Sequence, residues 1–202
     1  WHSLGVPDGL PSISVFDIYQ DRDGNLWFGT SNGVSLFDGA NITTFTTEHG
    51  LAHNEVRTIR QDREGYLWFG TKGGLSRYDG RKFTTFGKAD GLTSHEIESV
   101  YEDREGHLYI GTASGVSQYN RNVFTRFAVE DGLPSDEVLS MYQDREGDLW
   151  FWTGKDVSRY DGERFTSFDQ AGRISRHGRG VIYQDRAGNL WFGGEEGVSR
   201  YD

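Results

Sequence analysis

Histidine, carboxylate and arginine side chains recur at one point of a 41-residue repeat, and these are the residue types that bind ligands or transfer protons. Two adjacent repeat positions, together with two nearby arginines, supply a candidate ligand site, whose members we call the rim residues. The rim residues are Asn54, Glu55, His95, Glu96, Asp136, Glu137, Arg173, Arg176 and His177. Framework positions repeat nearly unchanged whereas these differ between copies, so the site could serve ligand binding, although unselected drift of loops explains the same variation.

The fifth repeat concentrates positive charge in an otherwise acidic chain, with Arg173, Arg176, His177 and Arg179 close together. A guanidinium group binds carboxylate, sulfate or phosphate through paired hydrogen bonds, so this sector could hold an anionic ligand such as an acidic sugar. The alternative is internal ion pairing with acidic rim residues. The sequence leaves both interpretations open.

Charge and composition exclude several classes of function. The formal net charge of -10 disfavours nucleic acid and anionic membrane surfaces as partners. The chain contains no cysteine, which rules out disulfides, thiolate nucleophiles and cysteine zinc sites. It lacks an apolar run long enough to cross a membrane, so we expect no membrane insertion by this chain.

The sequence offers little support for catalysis, a metal or a cofactor. No HExxH, GxSxG or phosphate-binding loop occurs. The turn that begins Asp21-Arg22-Asp23-Gly24 superficially resembles a calcium loop but lacks the distal glutamate, so we expect Asp21 to cap backbone amides instead. We therefore predict a protein that is not an enzyme and needs neither metal nor cofactor.

The elements that must position the rim residues follow from the repeat. The Asp21 stretch returns at Asp62, Asp103, Asp144 and Asp185, always 41 residues apart. Each copy contains four short β-like runs, in the fourth copy 138–143, 149–153, 157–160 and 165–168, separated by glycine turns. Four antiparallel strands in about 41 residues are typical of one propeller blade. We predict an all-β, five-bladed β-propeller, with residues 1–202 as a single domain.

The chain ends predict how the ring closes. Residues 1–4 lie 41 residues before 42–45, in register with an outermost strand, while the fifth copy stops before its own. We therefore expect the N-terminal strand to complete the last blade. The alternative is a fragment of a larger ring.

Two further positions carry expectations of their own. Arg57 and Glu98 occupy one position on successive inner strands and are expected to pair with each other. Trp152 replaces a glycine found at the same position of the other copies, and its indole could be a platform for sugar stacking or a local repacking of the core.

The segments 142–151 (YQDREGDLWF), 74–80 (GLSRYDG) and 131–134 (DGLP) resemble the two-component regulator propeller repeat. The resemblance covers essentially the whole chain. It implies a ligand-sensing extracytoplasmic domain of a bacterial hybrid sensor kinase, periplasmic or extracellular, engaged in signal transduction and often responsive to oligosaccharide-type inducers.

Three functional hypotheses follow. The leading one is a non-catalytic, monomeric sensing or binding propeller for an oligosaccharide or anionic ligand. The second is a structural or engineered repeat scaffold without a small ligand. The third is an enzyme similar to virginiamycin B lyase, a propeller whose chemistry uses histidine and acidic residues with magnesium; His95, Glu96, Glu137 and His177 make such a site conceivable.

Overall fold

The computed structural model describes residues 3–120, 123–153, 156–168, 180–194 and 197–201. Within those ranges every regular element is a β-strand or a short 3-10 turn. The strands form five antiparallel sheets, each following the order of the chain. The expected all-β class and the division into repeated meanders are confirmed.

The first four sheets have four strands each. They are β1 (Val15–Gln20), β2 (Leu26–Thr30), β3 (Gly33–Phe37) and β4 (Ile42–Phe45); β5 (Val56–Gln61), β6 (Leu67–Thr71), β7 (Gly74–Tyr78) and β8 (Phe83–Phe86); β9 (Ile97–Glu102), β10 (Leu108–Thr112), β11 (Gly115–Asn120) and β12 (Val123–Phe127); and β13 (Val138–Gln143), β14 (Leu149–Thr153), β15 (Val157–Tyr160) and β16 (Phe165–Phe168). The fifth contains β17 (Val181–Gln184), β18 (Leu190–Gly194) and β19 (Gly197–Tyr201). Its three described strands are one fewer than the repeat predicts.

By contacts the chain divides into two compact units, residues 1–100 and 101–202. Within each unit, neighbouring sheets pack through aromatic rings. In the first, Trp27 of β2 lies 5.4 Å from Phe69 of β6 and 5.9 Å from Phe45, measured between ring centroids. In the second, Trp150 lies 5.6 Å from Phe192 and 5.3 Å from Phe168. A single four-stranded sheet cannot bury both of its faces, so these rings form the core of each unit.

The turn between the first two strands of each sheet is fixed by its aspartate. Asp21 accepts hydrogen bonds from the backbone amides of Asp23 and Asn25, at 3.0 and 2.8 Å, and from Trp27 Nε1 at 2.8 Å. Asp62 binds the Trp68 indole in the same way, at 2.6 Å. The predicted capping role of this aspartate is confirmed, and the side chain also anchors the central aromatic ring.

Adjacent sheets within a unit are joined at these turns by a repeated hydrogen bond. The backbone amide of Arg22 donates to Gln61 Oε1 at 2.9 Å, and the Arg22 guanidinium donates to the carbonyl of Arg63. In the second unit, the amides of Arg104 and Arg145 donate to Gln143 and Gln184, also at 2.9 Å. We call these contacts the turn latches.

Candidate functional site

The described rim residues, numbers 54–137, lie on the connections that lead from the fourth strand of one sheet to the first strand of the next. Four connections contain a 3-10 turn ending in a glycine with positive φ: Val6–Asp8, Thr47–His49, Lys88–Asp90 and Val129–Asp131. The third turn residue caps the turn; the Asp90 carboxylate, for example, accepts from Gly87 N at 2.8 Å. The leucine after each glycine is buried, so the repeated Asp-Gly-Leu motif is structural.

Asn54 and Asp136 occupy equivalent positions and make equivalent hydrogen bonds to these turns. Asn54 Oδ1 accepts from Thr47 N at 2.8 Å, and Asp136 Oδ1 accepts from Val129 N at 3.2 Å. His95 has the same repeat position, and its ring lies against Gly87, where an added β-carbon would be 3.2 Å from it. At this position the rim side chains therefore pack on the preceding turn.

Glu55 belongs to a cluster of charged side chains, which we call the Arg57 cluster. Glu55 Oε1 accepts from Arg57 Nε at 3.0 Å, and Arg57 Nη1 donates to Glu98 Oε1. Lys72 Nζ lies 3.9 Å from Glu55 Oε2. Side-chain exposure is 24% for Glu55, 18% for Arg57 and 12% for Glu98, so these groups are largely withdrawn from water. The expected pairing of Arg57 with Glu98 is confirmed.

Three rim carboxylates face solvent: Asp136, which also accepts the Val129 amide, and the glutamates Glu96 and Glu137. The backbone amides of Glu96 and Glu137 donate to the hydroxyl of the serine two residues earlier, Ser94 at 3.2 Å and Ser135 at 3.4 Å. Each glutamate immediately precedes the first strand of a sheet. The backbone is thus fixed while the carboxylate stays accessible. Glu96 and Glu137 are consequently better placed than Glu55 to meet a ligand.

The remaining predicted rim residues, Arg173, Arg176 and His177, lie outside the described residues. Of the rim residues in the first unit, Asn54 and Glu55 are adjacent in the chain, and neither shares a hydrogen bond that we observe with His95 or Glu96. Among the described residues, no group of three or more His, Asp or Glu side chains is arranged to hold a metal ion.

Sequence reasoning missed Lys72, which lies in the hairpin between β6 and β7. Its backbone amide donates to the Glu55 carbonyl at 3.1 Å, so this hairpin borders the rim connection of the same sheet. The other copies carry Ser31, Ala113, Gly154 and Glu195 at this position, so Lys72 is the one cation in the column, and that contrast was the available signal.

Trp152 is 1% exposed and lies against Gly180, where any β-carbon would overlap the indole. A side chain so deeply buried cannot present a flat face to a sugar. Of the two interpretations of this tryptophan, the repacked core is confirmed.

The profile of the two component regulator propeller matches residues 9–32, 50–73, 91–114 and 132–153. The chain carries four copies of the two component regulator propeller repeat. Each matched segment runs from the Asp-Gly-Leu connection to the end of the second strand, so the profile describes the rim connection, the inner strand and the capped turn. The family resemblance read from the residues is confirmed.

Solved structures place this propeller in context. The extracellular domain assigned to a hybrid two component system of B. thetaiotaomicron is 25% identical, with a TM-score of 0.82 over 93% of this chain and 27% of that one. Virginiamycin B lyase from Staphylococcus aureus is 14% identical, with a TM-score of 0.69 over 94% of this chain and 70% of that one. At that identity the likeness to the lyase is one of fold alone.

A curated relative, histidine kinase P4 of Formosa agariphila, is 56% identical over 32 residues, which are 16% of this chain and 2% of the kinase. The propeller therefore spans about a quarter of the first solved chain and a small part of the kinase. In the described part of the propeller, no helix is long and apolar enough to cross a membrane.

Proposed function

We propose that this propeller is a non-catalytic, extracytoplasmic ligand-sensing module. The observation that carries the proposal is its likeness, over 93% of the chain, to the extracellular domain of a hybrid two component system. The described residues add that Asn54 and Asp136 hold turns and that Glu55 is committed to Arg57. Polar groups engaged in this way stabilise the connections and are not available for proton transfer.

The proposed ligand is an oligosaccharide or an anionic molecule, bound by the rim residues. Glu96 and Glu137 are exposed and free to accept hydrogen bonds from sugar hydroxyls, while Arg173, Arg176 and His177 supply the positive charge that an acidic sugar needs. Asn54, His95 and Asp136 would hold the connections in place rather than contact the ligand.

We also propose that the five sheets belong to one propeller domain, as the 41-residue register predicts; residues 1 and 2, on which the predicted closing strand depends, lie outside the described residues. The two terminal sheets expose apolar residues whose repeat equivalents are buried. Ile18 in the first sheet is 60% exposed whereas Ile59 is fully buried, and Val198 in the fifth is 69% exposed whereas Val34 is fully buried. Each of these apolar faces therefore lacks the packing that its repeat equivalent has within a unit.

Thermal unfolding against defined oligosaccharides tests the ligand proposal. The panel contains an oligogalacturonate, a sulfated heparin tetrasaccharide and neutral maltotetraose, each with and without magnesium or chelator. A ligand at one hundred times its dissociation constant stabilises by about 2.7 kcal/mol, which raises Tm by roughly 5 to 10 °C in a domain of this size. A rise with either acidic sugar, independent of metal, is expected.

The variant Arg173→Ala/Arg176→Ala should abolish that rise. The matched control Arg81→Ala/Arg164→Ala removes the same charge from exposed turns between third and fourth strands, and it should leave the rise unchanged. A flat panel would contradict sensing of such sugars and favour the scaffold hypothesis. Consumption of a sugar that depends on magnesium would instead support an enzyme.

A further inference from the structure

The connection that leads into the second sheet, residues 46–55, differs from its equivalents in the side chain that caps its backbone. In three described copies that side chain is a serine, whose hydroxyl accepts the amide two residues later: Ser12, Ser94 and Ser135. In the second copy it is His53, whose Nδ1 accepts from Glu55 N at 2.9 Å. An imidazole therefore makes the hydrogen bond that a serine makes elsewhere.

The hydrogen bond fixes which nitrogen of His53 carries the proton. A backbone amide can only donate, so Nδ1 accepts and the proton of the neutral ring is on Nε2. A proton on Nδ1 would instead face the amide proton of Glu55. Because His53 is exposed, its ring caps the backbone with one nitrogen and presents an N–H donor to solvent with the other.

Position 49 shows a second change of the same kind. In three described copies the last residue of the 3-10 turn is an aspartate that accepts the amide preceding the turn: Asp8, Asp90 and Asp131. In the second copy His49 Nδ1 accepts from Thr46 N at 3.1 Å. The cap is kept and a negative charge is removed. Residues 128–137 contain four acidic side chains whereas residues 46–55 contain two, so an anion meets less repulsion at the second connection than at the fourth.

Gly73, in the hairpin between β6 and β7, provides the space that His53 needs. A β-carbon at Gly73 would lie 2.8 Å from the β-carbon of His53, closer than two such atoms pack. The copies with serine at the capping position all have a side chain at the position of Gly73: Asn32, Ser114 and Lys155. The histidine and the glycine are therefore a matched pair of changes within one copy.

Lys72 brings an ammonium group to the same place. Its amide donates to the Glu55 carbonyl at 3.1 Å, so its backbone is fixed beside the residue whose amide His53 caps. Lys72 Nζ lies 3.9 Å from Glu55 Oε2, and 47% of the lysine side chain is exposed. Glu55 already accepts from Arg57 Nε at 3.0 Å. The longer, exposed pair with Lys72 is weak, so its ammonium group can also bind a ligand.

We propose that His53 Nε2 and Lys72 Nζ form a subsite for a carboxylate or sulfate group of the ligand. An N–H donor beside an ammonium group suits an oxyanion, which accepts several hydrogen bonds and donates none. Capping alone does not require either residue, since serine caps the equivalent amides. The inference rests on the proposed function for the identity of the ligand, but inorganic sulfate tests the subsite by itself.

The variant His53→Ser/Lys72→Ser gives the second copy the residues of the first, Ser12 and Ser31. It removes both donors while a serine can still cap Glu55 N. We expect it to bind the sulfated heparin tetrasaccharide about tenfold more weakly, or weaker still, by titration calorimetry. The matched control Lys82→Ser removes an exposed lysine from the other end of β7 and should leave the affinity unchanged.

Nitrogen-15 NMR of the histidine side chains tests the subsite in the parent protein. We expect His53 to show the Nε2–H tautomer and its Nε2–H signal to shift when sodium sulfate is added, but not with sodium chloride at equal ionic strength. The sulfate shift should disappear in Lys72→Ser. An Nδ1–H tautomer, or a His53 signal that sulfate leaves unmoved, overturns the inference.

The combined outcomes separate this inference from the proposed function. If an acidic sugar binds equally to the parent protein and to His53→Ser/Lys72→Ser, sensing stands and the subsite is wrong. If sulfate shifts His53 but none of the sugars binds, the subsite stands and the proposed ligand is wrong.

Discussion

The indole of Trp152 occupies the space that a β-carbon at Gly180 would need. The two residues lie on neighbouring sheets of the second unit, and each departs from what the repeat carries elsewhere: position 152 is otherwise glycine, and position 180 is otherwise Phe16, Arg57, Glu98 or Leu139. In this pair the large side chain of β14 lies against a residue that has no side chain. Neither substitution would be tolerated in this form without the other.

Gly180→Ala should therefore be strongly destabilising, by about 2 to 3 kcal/mol, because the added methyl group overlaps a buried ring. Chemical denaturation in urea measures the change. The matched control is Gly193→Ala in β18, where the nearest atom to an added β-carbon is 4.0 Å away, and it should cost less than about 1 kcal/mol. In the Trp152→Gly variant, Gly180→Ala should lower the free energy of unfolding much less than it does in the parent protein. An equal loss in the parent protein and in Trp152→Gly would contradict the coupling of the two positions.

The hydroxyl of Ser158 is buried without a hydrogen-bond partner, unlike its equivalent Ser76. Ser76 Oγ accepts from Ala52 N at 2.9 Å, but the residue equivalent to Ala52 in the fourth repeat is Pro134, which has no N–H. We expect Ser158→Ala to leave stability unchanged or raise it, and Ser76→Ala to lower it by about 1 kcal/mol. Equal losses from the two substitutions, measured by thermal unfolding, would show that Ser158 has a partner after all.

Stability should fall in acid because the turn aspartates Asp21 and Asp185 have lower pKa values folded than unfolded. Hydrogen bonds from Asn189 and Trp191 lower the pKa of Asp185 to about 2. Burial alone would raise the pKa of Asp21, but hydrogen bonds from Trp27 and Asn25 outweigh it and lower the pKa. A carboxyl group whose pKa is lowered by folding stabilises the fold at pH values above its unfolded pKa of about 3.9. That stabilisation is lost as the pH falls toward the pKa of the folded state.

The expected result is a steady Tm above about pH 5 and a decline between about pH 4 and pH 2. Calorimetry across this range measures it. Asp185→Asn keeps an acceptor for the indole while removing the charge, so its decline should be shallower than that of the parent protein. A Tm that is flat down to pH 2.5, or an equal decline in the variant, would contradict the assignment.

Removing the cation of the Arg57 cluster should leave Glu55 and Glu98 as two poorly solvated carboxylates. We expect Arg57→Met to cost about 1 to 3 kcal/mol, less than for a fully buried pair because some solvent reaches all three side chains. Adding Glu98→Gln should recover part of that loss, since one repelling charge is gone. Urea denaturation measures the free energy of unfolding of both variants. A double variant less stable than Arg57→Met alone would refute this account.

The fold was readable from the sequence because its determinants are local and recur. Asp21, the glycine after it and Trp27 lie within seven residues, so turn chemistry and strand pattern indicate the same hairpin in every copy. The site was less readable. Glu55 looks like a ligand-binding carboxylate until Arg57 is seen to donate both to it and to Glu98 of the next sheet.

The same limit applies to Asn54 and Asp136. Their types suit ligand binding, and only the three-dimensional turn shows that they accept the amides of Thr47 and Val129. Trp152 is a parallel case, because its burial depends on the absence of a side chain at Gly180, twenty-eight positions away in the sequence. Contacts between repeats decide what a variable residue does, and a single aligned column does not contain them.

The turn latches have an evolutionary consequence. Each one links a residue to the copy immediately following, and both partners are supplied by the repeated framework, so a new copy inserted between two others arrives with its own donor and its own acceptor. Unequal recombination in whole multiples of 41 codons would preserve every such junction. The latches would therefore survive the gain or loss of a complete repeat, whereas an insertion of any other length at the turn would separate a donor from its acceptor.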